Sequence, residues 1–117
     1  MRSGDAVAAR RFRLRHIADA IASIRADTSR GKKAFLKSRV HQQAVILNLM
    51  IIGEAIKHID ARALSTRPEI PWNDIAGLRD IVAHKYFHLD LDTIWDVAEK
   101  DLAPLSKAVA ALRRLTD

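Results

Sequence analysis

The stretch Arg79-Asp80-Ile81-Val82-Ala83-His84-Lys85-Tyr86 carries an arginine, a histidine and a tyrosine within eight residues. Each suits phosphodiester chemistry. Arginine presents a planar, always-charged fork that matches a phosphate. Histidine titrates near neutrality and serves as a general base or acid. Tyrosine hydrogen-bonds, stacks on a base or takes a modification. If the stretch is one α-helix, Arg79 and His84 differ by about 140° around the axis and about 7.5 Å along it. A straight helix does not aim both at one atom. Either the helix loosens near His84, or a second chain completes the site across a two-fold axis. Arg79 and Tyr86, seven residues apart, nearly eclipse each other on a regular helix. The plainer reading of an Arg-Asp-His trio on a helix is a surface salt-bridge set.

The other polar residues offer less. His84 and His88 have the i, i+4 spacing of a zinc pair, but the predicted helix ends between them and no third ligand or His-Glu-x-x-His is present. No metal is expected. His16 lies in a basic segment, and His41 and His58 flank an apolar one. Gly53-Glu54-Ala55 sits inside that apolar segment, where Gly53 allows a close helix contact and Glu54 is free to pair with Lys57 or an arginine of another helix. There is no glycine-rich phosphate loop. Cysteine is absent, which removes disulfides, thiolate metal sites and catalytic thiols and suits a reducing, cytoplasmic setting.

Helices must position these residues. Ala (19), Leu (12) and Ile (12) outnumber Val (6), and Gly (4) and Pro (3) are scarce, so composition leans to an all-α fold. Leu14, Ile17, Ile21 and Ile24 recur at steps of three and four, predicting a first helix over 6–26; Thr28 to Gly31 reads as a turn. A second helix is predicted over 37–60, apolar over so wide an arc that it belongs at the centre of a bundle. Leu64 to Ile70 reads as a polar connection. A third helix follows Pro71, with Asn73 or Asp74 as its cap and Ile75, Leu78 and Val82 facing the core. It ends near 86–88. Asp90 caps a fourth, with Leu89 and Ile94 spaced as a hydrophobic staple. Pro104 interrupts the stripe that follows and predicts a kink, or a division into two helices, around 101–104. The expected architecture is a single-domain bundle of four to five helices.

The net charge of +6 is unevenly spread. Residues 1–40 hold 11 Lys and Arg against 3 Asp, a net of +8, and the remainder is net −2. A basic half marks a polyanion partner or a solvated helix. No segment has the roughly 20 apolar residues a membrane-spanning helix needs.

Arg79-x4-His84-x-Tyr86 resembles the signature of the HepT-like toxins of the HEPN superfamily. Ile52-Gly53-Glu54-Ala55 is similar to that family's central-helix pattern. The run Pro71 to Leu78 resembles its lead into the motif. Tyr86-Phe87, Asp90-Leu91, Ile94-Trp95 and Lys100-Asp101-Leu102 resemble the run that leaves it. The resemblance covers roughly residues 10–115. It implies an all-helical HEPN bundle acting as a metal-independent endoribonuclease, the toxin of a type VII toxin–antitoxin pair. It implies a homodimer whose paired motifs share one cleft. It also implies a small MNT-type nucleotidyltransferase antitoxin that uses ATP to transfer AMP to Tyr86; the chain itself needs no cofactor. The catalytic pair would be Arg79 and His84. Lys85 adds positive charge beside them, and Asp80 orients Arg79 or His84 or is a plain surface charge. The basic first helix would contact either RNA or the antitoxin. A non-catalytic nucleotide-binding or partner-docking module, and a purely structural helical oligomer, are the other classes open to such a sequence.

Overall fold

The apolar stripe of Leu14, Ile17, Ile21 and Ile24 is buried along one helix, α1 (Ser3–Thr28), in a computed structural model that describes residues 3–116. Gly31, at φ 93°, then turns the chain through a conformation that favours glycine.

The helix expected over 37–60 is divided. A short α2 (Lys32–Lys37) precedes α3 (Arg39–Lys57). Ser38 causes the break: it is extended, and its hydroxyl accepts from the His41 amide and caps α3. The Gln42 side-chain amide donates to the Phe35 and Leu36 carbonyls at the end of α2, the first of which also accepts from the Ser38 amide. At the far end Asp60 is not part of α3. It caps a short α4 (Ala61–Leu64) by accepting from the Ala63 amide.

α3 lies antiparallel to α1. His41 Nδ1 meets Asp27 Oδ1 at 2.7 Å near one end, and Arg10 Nε meets Asp60 Oδ1 at 2.9 Å near the other. Burial acts to raise the Asp60 pKa, but hydrogen bonds from Arg10 and the Ala63 amide outweigh it, and the net shift is downward.

The connection into α5 (Trp72–Lys85) is more than polar, because Ala63 and Ile70 are buried. The Trp72 indole donates to the Leu64 and Arg67 carbonyls at 3.0 and 2.9 Å and fixes where α5 starts. Neither Asn73 nor Asp74 is its cap. Pro71 occupies that position without a side-chain bond, and Asp74 lies in the first turn, where a negative charge complements the helix dipole. Val82 is buried, while Ile75 and Leu78 are half-buried against the core. Leu78 is therefore less enclosed than its spacing predicts.

A 3₁₀ turn (Tyr86–His88) ends this segment. Asp90 then caps α6 (Leu91–Asp96) by accepting from the Asp92 amide, and Ile94 is buried with Leu89 half-buried against the core. The irregularity expected near Pro104 lies slightly upstream. A π-helical turn (Val97–Asp101) joins α6 to α7 (Leu102–Thr116). Pro104 has no N–H and its ring would strike the Lys100 carbonyl in an unbroken α-ladder; the wider turn containing Lys100 absorbs that conflict. α7 buries Leu102, Leu105, Val109 and Leu112 in the core that α1 and α3 share.

The fold is thus an all-α bundle, with α3 between α1 and α5 and no strand among the described residues. No helix among them is long and apolar enough to cross a membrane.

Candidate active site

The site begins with a missing side chain. A Cβ on Gly53 would lie 3.1 Å from the Ile75 and Ala76 carbonyl oxygens and 3.1 Å from the Arg79 nitrogen. A methyl group there would crowd those backbone atoms by a few tenths of an ångström, so glycine lets α5 pack backbone to backbone on α3. That approach brings the start of the motif onto the polar end of α3.

The result is a chain of alternating charges. His58 Nε2 lies 3.1 Å from Glu54 Oε1, and Glu54 Oε2 lies 3.5 Å from Arg79 Nε. Arg79 also donates from its NH1 group to Asp80 Oδ1 at 3.3 Å. Lys57 Nζ closes the set, donating to both Asp80 oxygens at 3.2 Å. The hydrogen bond with His58 holds the Glu54 carboxyl below its ordinary pKa, with Arg79 and Lys57 reinforcing it. Asp80 is lowered too, chiefly by the Lys57 hydrogen bond and then by that from Arg79. All five groups are solvent-exposed or nearly so. Pairs of this kind orient a side chain more than they stabilise a fold.

The sequence left Glu54 with two candidate partners, and the arginine of another helix is the one it meets. Of the roles open to Asp80, the structure supports contact with Arg79 and not with His84. The Lys57 clamp on Asp80 was missed, because nothing in the local pattern marks a contact between α3 and α5.

His84 stands in the last turn of α5, exposed, and among the described residues it has no hydrogen-bond or ion-pair partner. Lys85 is exposed beside it and leaves the helical basin at φ −123°, ψ 21°. α5 is regular through His84, so the separation of about 140° from Arg79 stands. The loosening comes too late to bring the pair together. Tyr86 opens the 3₁₀ turn, and past Lys85 the alignment with Arg79 expected of a straight helix no longer applies. Tyr86 is 44% exposed, and its ring meets that of Phe87 edge-on at 5.4 Å between centroids; Phe87 is 90% exposed. His88 shares that turn. No three His, Asp or Glu side chains gather as a metal-binding cluster among the described residues. An apolar cavity of about 310 Å³, lined by residues such as Leu49, Ile75, Leu78 and Leu105, takes in none of Arg79, His84 or Tyr86.

An all-α bundle displaying an arginine and a histidine on one exposed helix has clear relatives. A family model described as Ribonuclease HepT-like matches residues 16–112, and the chain belongs to that family. A protein of Methanocaldococcus jannaschii whose name joins gamma-glutamylcyclotransferase to a provisional RNase is 35% identical over 105 residues, covering 89% of this chain and 47% of that protein. A second protein of that organism, provisionally named an RNase, is 41% identical over 63 residues, which is 54% of this chain and 52% of its own. A protein of Thermococcus cleftensis named a probable ribonuclease HepT is 39% identical over 80 residues, 68% of this chain and 73% of its own. The chain spans about half the length of the first two. No solved structure gave a significant match.

Proposed function

We propose that this chain is a metal-independent endoribonuclease and the toxin half of a type VII toxin–antitoxin pair. The observation that carries the reading is the contrast within α5. Arg79 is held by Glu54 and Asp80, while the His84 side chain is exposed and, among the described residues, without a partner, in a chain of the ribonuclease HepT-like family.

His84 takes a proton from a ribose 2′-OH. The freed oxygen attacks the adjacent phosphorus, the bond to the 5′-oxygen breaks, and the departing 5′-oxygen takes up a proton from solvent water. A 2′,3′-cyclic phosphate and a 5′-OH result. Arg79 stabilises the charge that develops on the phosphoryl oxygens. DNA lacks the 2′-OH and is spared. Asp80 and Lys85 support the pair, Asp80 through its bond to Arg79 and Lys85 by positive charge. Because α5 stays regular through His84, a single protomer does not aim both groups at one phosphate. Two protomers related by a two-fold axis supply them to one cleft. Tyr86, exposed at the end of α5, is the acceptor for AMP from an MNT-type nucleotidyltransferase antitoxin.

The test is RNA cleavage by the purified chain in the presence of a chelator. Cleavage should persist, leave cyclic phosphate ends, and fall to background in His84→Ala. Bound but uncut RNA would favour a docking module, and products ending in a plain 3′-OH would contradict the 2′-OH attack.

A further inference from the structure

We infer that the outer face of α1 is a stacking platform for single-stranded RNA, reached from Arg79 across the depression at Lys57 and His58; the inference rests on the ribonuclease reading. Phe12 is 54% exposed on the solvent side of α1, where packing has no use for it. Its ring lies 4.2 Å from that of His16, and the Arg13 guanidinium sits 5.6 Å from its centroid. Arg15 is exposed beside them. An aromatic face set among cations is how proteins hold single strands: bases stack on the ring, and the cations track the phosphates.

The platform connects to the site. A depression of about 280 Å³ between α1 and the end of α3 is lined by Ala9, Arg10, Lys57, His58 and Asp60 among others. Ala9 precedes Phe12 and Arg13 by three and four residues, so it neighbours both on the surface of α1. On the other side Lys57 holds Asp80, and His58 holds Glu54, which contacts Arg79. A strand with a phosphate at Arg79 therefore meets Lys57 and His58, and then Phe12. The path crosses two helix spacings of about 8–10 Å each. The carboxylates along it are engaged: Glu54 and Asp80 in the site, Asp60 by Arg10. Asp19, one turn beyond His16, bounds the basic segment. One exposed ring suffices for base stacking, whereas a protein interface needs a broader apolar centre than this face offers. RNA is therefore the better match.

The experiment separates this platform from the chemistry at His84. Binding of a fluorescein-labelled uridine strand of about twelve nucleotides is measured by anisotropy on the full chain carrying His84→Ala. Adding Phe12→Ala should weaken binding about tenfold, and Phe12→Trp should restore it. Replacing Arg13 and Arg15 by Gln should flatten the dependence of log Kd on log salt. With His84 intact, Phe12→Ala should slow cleavage of the long strand but not of a dinucleotide, which is too short to reach α1. Circular dichroism checks that each variant keeps its helices. Because binding is read without cleavage, an inactive parent chain would count against the ribonuclease reading and leave the platform measurable. Unchanged strand binding by Phe12→Ala overturns the proposal, as does failure of Phe12→Trp to restore it. So does a Phe12→Ala chain that binds RNA normally but no longer captures a nucleotidyltransferase partner.

Discussion

Gly53 and Arg79 touch through backbone: a methyl group on Gly53 would stand 3.1 Å from the Arg79 nitrogen. Gly53→Ala gains about 1 kcal/mol of helix propensity in α3. It also pushes against three backbone atoms of α5, which cannot swing aside as a flexible side chain would, at about 1–3 kcal/mol. We expect a net loss of stability in urea unfolding, larger for Gly53→Val, with reduced RNA cleavage because Arg79 moves.

The acid dependence of the charged chain has a definite sign. The folded-state pKa values of Glu54 and Asp80 lie below their ordinary ones. Their pairing is complete above the unfolded carboxylate pKa of about 4 and is lost as pH falls through the lowered folded values. Carbonyl NMR titration of the two side chains should show both midpoints displaced downward. Asp80→Asn should leave the Glu54 midpoint lowered, because the His58 hydrogen bond and the Arg79 and Lys57 charges that lower it remain, and should lower RNA cleavage more than RNA binding. An unshifted midpoint in the parent chain would remove the ion-pair account.

The division of labour between protomers is testable by mixing. Arg79→Ala and His84→Ala chains should each be inactive alone. Co-refolded, they should recover part of the parent activity if one cleft draws Arg79 from one protomer and His84 from the other. A monomer with full activity in ultracentrifugation-matched assays would sink the shared cleft.

Control should pass through Tyr86. AMP on its hydroxyl brings a negative phosphate to the end of α5, where the neighbouring Lys85 can pair with it and a substrate phosphate is displaced. Tyr86→Phe keeps the ring and removes the acceptor. Co-expressed with an active nucleotidyltransferase antitoxin, it should stay unmodified by peptide mass spectrometry and escape silencing. AMP found only at another residue would overturn this assignment.

The core is the simplest case. Leu105 is 2% exposed and packs where α7 meets the rest of the bundle. Leu105→Ala should cost about 2–5 kcal/mol in denaturant unfolding.

Much of this architecture is written locally. Helical periodicity needs only neighbouring residues, so the stripes of α1 and α7, the turn at Gly31 and the Asp90 cap were legible without a fold. So was the run of Arg79, His84 and Tyr86 as a candidate motif, since its residue types suit phosphodiester chemistry and its spacing resembles a family signature. The break at Ser38 was not, because apolar residues continue on both sides and only the bonds of Ser38 and Gln42 decide it. The exposure of Phe12 and Phe87 was not legible either, as a side chain's surroundings depend on what packs beside it.

By itself, then, the order of residues determined an all-α chain with a basic beginning and one phosphate-suited motif, because propensity, periodicity and charge act over a turn or two of helix. The tertiary structure decided which groups meet. Gly53 admits α5, Glu54 and Lys57 reach Arg79 and Asp80, and His84 is left facing solvent. These are contacts between residues more than 20 positions apart, and they exist only once α3 and α5 bury their apolar faces against each other and bring their polar edges within hydrogen-bond range.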